Sequence, residues 1–93
     1  MLFVRRLIWD SWNVAHIARH QVTPDEVEEV CHGDPMTSAT YKGRTRVVGP
    51  TRSGRILTVL LAPAGEQGTY YPVTARPADR KEQRNYEQHK RGE

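Results

Sequence analysis

The chain contains one cysteine, one phenylalanine and no apolar run longer than a short strand. A lone thiol, Cys31, cannot close an internal disulfide, which excludes a small disulfide-stapled secreted scaffold and makes a reducing cytoplasm the expected compartment. The opening MLFVRRLIWD breaks its apolar residues with Arg5 and Arg6, so neither a signal peptide nor a membrane span is expected there. At 93 residues and 37% hydrophobic, the chain suffices for one domain over 1–93 with a modest core, and not for two. Six prolines and seven glycines punctuate it without making it low-complexity.

The second half is short of acid. Residues 1–41 carry three Lys/Arg against six Asp/Glu, a balance of −3, whereas residues 42–93 carry eleven against five, a balance of +6. Cations gathered on one face attract phosphates through counterion release and steering, so the second half is the side expected to face a polyanion.

Residues 2–9 are rich in β-formers and read as a first strand, closed by Asp10-Ser11, either of which can cap a following helix. Residues 12–20 place Val14, Ile17 and Ala18 on one helical face and His16, Arg19 and His20 toward the other. Thr23-Pro24-Asp25-Glu26 is a capping box with proline at the first helical position, and Val27, Val30 and Cys31 form the inward face of the helix it starts. Buried there, Cys31 reads as a structural thiol rather than a nucleophile. Strands are expected over 39–42, 44–50, 55–62 and 69–76, joined by tight turns into an antiparallel meander. The nearly continuous apolar run Ile56-Leu57-Thr58-Val59-Leu60-Leu61-Ala62 marks the central strand, and Pro72 implies an edge position or a bulge in the last one. Residues 78 to about 90 read as a basic helix whose only hydrophobic anchors are Ala78 and Tyr86. The fold class is therefore α+β: two N-terminal helices packed on a small antiparallel sheet, with a basic C-terminal helix.

Several segments in this order carry a family resemblance. They are Trp9-Asp10, Arg19-His20, Val22-Thr23-Pro24-Asp25-Glu26-Val27, Arg46-Val47-Val48-Gly49, Gly54-Arg55-Ile56-Leu57, and Ala75-Arg76-Pro77-Ala78-Asp79-Arg80-Lys81-Glu82 followed by Tyr86-Glu87. Together they resemble the BrnT family of bacterial toxins. The resemblance implies a RelE-like fold, cleavage of RNA, and neutralisation by a BrnA-like ribbon-helix-helix antitoxin that covers the basic surface and alone contacts operator DNA. The chain departs from the family at Gln21, where a glycine is usual, and at Pro72, which interrupts the last strand.

Cutting RNA without a metal requires deprotonating a 2′-hydroxyl, stabilising the charge of a pentavalent phosphorane and protonating the leaving 5′-oxygen. The planar fork of arginine suits the second task, so Arg76 and Arg80 are the leading phosphate-binding candidates, with Arg44, Arg46, Arg55, Lys81 and Arg84 in support. His20, Glu82 and Tyr86 are the proton-transfer candidates, because imidazole ordinarily titrates near neutrality and Glu82 and Tyr86 share a helical face. Plainer readings stand beside these: an ion pair between Glu82 and a nearby cation, and a core anchor for Tyr86. His16 and His20 have a spacing that permits metal binding, yet no third ligand is evident, so neither metal nor cofactor is expected. Two other functions fit the same residues, an inactive regulatory partner of an antitoxin and RNA binding without cleavage.

Overall fold

The computed structural model describes residues 2–92. Five strands form one sheet in the order β1-β5-β4-β3-β2, from β1 Arg6–Leu7, β2 Met36–Ala39, β3 Thr45–Pro50, β4 Ile56–Pro63 and β5 Thr69–Pro77. Helices α1 Ser11–Ala18 and α2 Pro24–His32 lie between β1 and β2, and α3 Arg80–Arg91 follows the sheet. β2 to β5 form the expected antiparallel meander with β4 at its centre, but β1 pairs with β5 in parallel, so the sheet is mixed.

Strand alternation gives the sheet two different faces. On one, Val47, Leu57, Val59, Leu61 and Ala75 pack with Ile17 of α1 and Val27, Val30 and Cys31 of α2 in the main core. Each fully buried aliphatic side chain there contributes about 1.5–3 kcal/mol. Gly49 lets the segment that follows α2 approach closely, since a Cβ at that position would meet the Pro35 Cβ at 3.0 Å. On the other face a small cluster of Val48, Ala78 and Tyr86, flanked by Met36 and Ile56, seats α3. Ala78 and Tyr86 are thus the helix anchors that the sequence suggests.

Local capping chemistry sets the helices. Asp10 caps α1, Thr23 and Glu26 form the capping box of α2, and Asp79 with Glu82 forms a third box that starts α3 at Arg80, two residues later than expected. After α1 the chain turns through Gln21 at φ 57. The Val22 amide donates to the Ile17 carbonyl at 3.2 Å and the Gln21 amide to that of Ala18 at 3.0 Å, a Schellman arrangement with Ile17 and Val22 both in the core. Gln21 therefore takes the left-handed conformation that glycine adopts without strain.

Three local expectations are corrected. Only Arg6–Leu7 of residues 2–9 is strand, because that segment meets β5 along two register positions, Arg6 with Thr69 and Leu7 with Tyr70. The strand expected over 39–42 lies at Met36–Ala39, because positive φ at Lys42 and Gly43 turns the chain through a single 3-10 turn at Tyr41–Gly43. In α1, Val14 and Ala18 are exposed, and the buried face is Ile17 with Asn13. The Asn13 side-chain amide escapes the cost of burial by donating to the carbonyls of Ile8 at 3.0 Å and Pro72 at 3.2 Å.

Pro72 sits at a bulge, as its missing amide donor implies. Leu61 pairs with Pro72 and Leu60 with Thr74, leaving Val73 as an extra residue in β5.

Candidate functional site

Beyond the bulge, β5 delivers Arg76 to the α3 side of the sheet, directly opposite Thr58 of β4. There the guanidinium meets Glu82 fork to fork, with Nη1 donating to Oε1 at 2.8 Å and Nη2 to Oε2 at 2.9 Å. Glu82 is fixed from a second direction by the α3 capping box, in which the Asp79 amide donates to Oε1 at 2.9 Å. Burial alone would raise the Glu82 carboxyl, but the hydrogen bonds from Arg76 and the Asp79 amide, the nearness of the Thr58 hydroxyl and the Arg76 charge outweigh it and hold it at about 2. The same pairing raises Arg76 above its ordinary value. A carboxylate held this low is a weak proton acceptor, so in this arrangement Glu82 orients Arg76.

Under the pair lies the Thr58 hydroxyl. Thr58 is buried, and its Oγ is the one buried side-chain polar atom among the described residues without a properly formed hydrogen bond. It lies near enough to Glu82 to favour the anion, yet outside good bonding geometry.

Next to the pair opens a groove of about 500 Å³, lined by Met36 and Ser38 of β2, Arg46 and Val48 of β3, and Glu82, Asn85, Gln88 and His89 of α3. Glu82 lines it, and Arg76 is joined to it through Glu82. A larger cavity of about 590 Å³ lies beside α2, but Asp25, Glu28 and Glu29 line it and would repel a polyanion.

The residues singled out from the sequence are divided by this geometry. Glu82 and Arg46 line the groove, and Arg76 is paired with Glu82 beside it. Lys81 falls on the helical ridge of Asn85 and Gln88, at its rim. Helical spacing turns Arg80 and Arg84 to the side of α3 away from Glu82 and Tyr86, where both are exposed, so Arg80 does not share an anion with Arg76. The Tyr86 ring is buried as the seat of α3. Arg44 is half-buried at the end of the 3-10 turn.

Arg55, expected among the substrate-binding cations, lies at the α1–α2 turn. Its Nη1 donates to the Gln21 carbonyl at 2.6 Å and to Glu26 Oε2 at 3.1 Å, and its Nη2 to the His20 carbonyl at 3.3 Å. That guanidinium is committed to holding the α1–α2 turn. His20, expected as a proton-transfer candidate, follows α1, in the layer that packs on the opposite face of the sheet from α3, apart from Arg76 and Glu82. The His20 ring meets His16 edge-on at 6.1 Å, and His16 stacks on Trp12 at 4.9 Å. Among the described residues no three His, Cys, Asp or Glu side chains gather as a metal site.

Sequence reasoning missed Thr58 and His89. The spacing of Glu82, Tyr86 and His89 on one helical face was the available signal for His89. Thr58 carried none, being one polar residue inside an apolar strand.

A scan against protein-family models finds no match, and a search of curated proteins finds none either. Among solved structures the chain is similar to the 1.1 Å crystal structure of the Brucella abortus ribonuclease toxin BrnT, with a TM-score of 0.65 and 22% identity over 81% of this chain and 97% of that one. The likeness extends to nearly the whole of that protein and establishes a BrnT-like α+β fold here.

Proposed function

We propose that this chain is a metal-independent endoribonuclease and the toxin of a two-component toxin–antitoxin module. The observation that carries the reading is the bidentate Arg76–Glu82 pair beside an arginine-lined groove, on a fold similar to that of a ribonuclease toxin. A carboxylate held by both arms of a guanidinium occupies the geometry in which arginine holds a phosphodiester. Arg46 on the groove wall and Lys81 at its rim add the positive field that draws a polyanion in.

The reaction is an internal transfer. The 2′-oxygen loses its proton and attacks the adjacent phosphorus, the bond from phosphorus to the 5′-oxygen breaks, and that oxygen takes up a proton to leave a 2′,3′-cyclic phosphate. Arg76 stabilises the charge gathering on the non-bridging oxygens. Proton transfer falls to Glu82 and His89, the two titratable groups lining the groove besides Arg46. The exposed cationic side of α3, with Arg80 and Arg84, is the surface a ribbon-helix-helix antitoxin would cover, and operator DNA would be reached only through that partner.

RNA binding without cleavage is the second reading, and the low Glu82 carboxyl favours it, because a group at about 2 takes a proton poorly while paired. Cleavage tests separate the two. Purified protein is expected to cut single-stranded RNA in the presence of EDTA, and its induction in a bacterium to arrest growth unless the adjacent gene is co-expressed. Binding with intact RNA recovered would leave only the second reading, and growth unaffected by either condition would remove the toxin role.

A further inference from the structure

Buried hydroxyls are nearly always hydrogen-bonded, so an orphan in a well-packed sheet asks what completes it. Thr58 sits at the middle of the central strand, 6% exposed, with Arg76 as its register partner and Glu82 above it. An apolar side chain of the same shape would fill the position without leaving a donor unsatisfied. The sheet nevertheless keeps a hydroxyl directly beneath the bidentate Arg76–Glu82 pair.

That pair is itself arranged for exchange. Arg76 is held by Glu82 and by one backbone carbonyl, that of Pro77 at 3.2 Å. Glu82 has a second attachment in the α3 capping box, so it keeps a hydrogen bond to the Asp79 amide if Arg76 turns to another acceptor. It also lines the groove, so the incoming anion arrives on the side from which it can replace the carboxylate.

Resting on the proposed RNA substrate, we infer that a substrate phosphodiester takes the place of the Glu82 carboxylate on Arg76, and that the Thr58 hydroxyl is a further donor to that phosphate. In the free protein the Arg76 fork is closed and the hydroxyl lies near Glu82 without a well-formed hydrogen bond. Phosphate binding engages both, and releases Glu82 beside the reacting group with its strongest side-chain partner gone. Thr58 is then a phosphate-binding residue that the fold itself does not need.

The test uses the full chain and three proteins: wild type, Thr58→Val and Thr58→Ser. Each is titrated with inorganic phosphate, following the Arg76 guanidinium resonances by NMR, and with a 2′-O-methyl single-stranded RNA that cannot be cleaved by the 2′-oxygen route. Thr58→Val is expected to melt at or above the wild-type temperature and to bind both probes roughly tenfold more weakly, the loss of one hydrogen bond to a charged acceptor. Thr58→Ser keeps the hydroxyl and is expected to stay within about twofold of wild type. Addition of phosphate should also raise the titration midpoint of the Glu82 carboxylate. Equal binding by Thr58→Val and wild type overturns the inference, as does a Thr58→Val protein that melts lower while binding normally. Failure of the two readings is distinguishable: Thr58-dependent phosphate binding without RNA cleavage removes the ribonuclease reading alone, and cleavage indifferent to Thr58→Val removes this inference alone.

Discussion

Two arginines in this protein are built on one plan and used differently. Arg55, just before β4, and Arg76, near the end of β5, each meet the glutamate at the third position of a helix capping box, Glu26 in α2 and Glu82 in α3. Both glutamates are held below their ordinary value by their own box and by the arginine, against burial. The difference lies in what else the guanidinium touches. Arg55 also donates to the carbonyls of Gln21 and His20, which lie in the turn after α1, so it joins three segments into one unit. Arg76 adds only the carbonyl of its own neighbour Pro77, and its partner Glu82 lies over a hydroxyl without a well-formed bond and lines a groove. The same ion pair is a clamp where surrounding backbone uses every donor and a binding element where it does not.

The sharpest break between the two is expected from truncation. Arg76→Ala should lower RNA cleavage on the order of a hundredfold or more, as removal of a transition-state anion donor does, and should also lower the melting temperature by leaving the half-buried Glu82 without its cation. Arg55→Ala should cost about 2–3 kcal/mol in denaturant melts by stranding Glu26 and two carbonyls, while the folded protein cuts RNA normally. Equal losses of activity in the two variants would dissolve the distinction.

Next in size is the response to acid. The Glu82 carboxyl is lower in the folded protein than its unfolded value of 4.5, so its stabilisation is complete above that value and disappears as pH falls toward about 2. Wild-type stability should decline across that window, and Glu82→Gln should flatten part of the decline. Glu26 has the same sign, so the remainder of the slope belongs partly to the clamp. A Glu82→Gln profile parallel to wild type would show that the pair on the α3 side carries no proton-linked stability.

The smallest effect comes from the turn that Arg55 holds. Gln21→Gly relieves a left-handed residue and should add about 0.5–1 kcal/mol to stability, with RNA cleavage unchanged. Loss of stability on that substitution would mean that the Gln21 side chain, and not only its carbonyl, serves the clamp.

Much of the fold is legible in the sequence because its signals are local. Thr23 to Glu26 announces α2, the apolar run from Ile56 announces the central strand, and Pro72 announces its own bulge. The site is legible in part, because Arg76, Glu82 and Arg46 are the right chemical types, but residue type does not say which arginine meets which glutamate. Arg55 and Arg76 look alike in one dimension and are separated only by strand register. β1 is shorter than its composition suggests for a related reason: β-forming residues at 2–9 have a partner edge only where β5 offers one, at Thr69 and Tyr70. Burial of Asn13 in place of Val14 likewise depends on two distant carbonyls that no helical pattern reveals.

The extra residue in β5 has a consequence for heredity of the site. Strand side chains alternate, so counting forward from Tyr70, which packs on the main core, an uninterrupted strand would send Arg76 into that core and Ala75 outward. Val73 acts as a phase shifter: it reverses the parity of everything after it, and so decides that a cation reaches α3 while an alanine fills the interior. A one-residue deletion there would not shorten a loop. It would exchange the inside and the outside of the strand, turning one codon into a switch between a buried arginine and an exposed one.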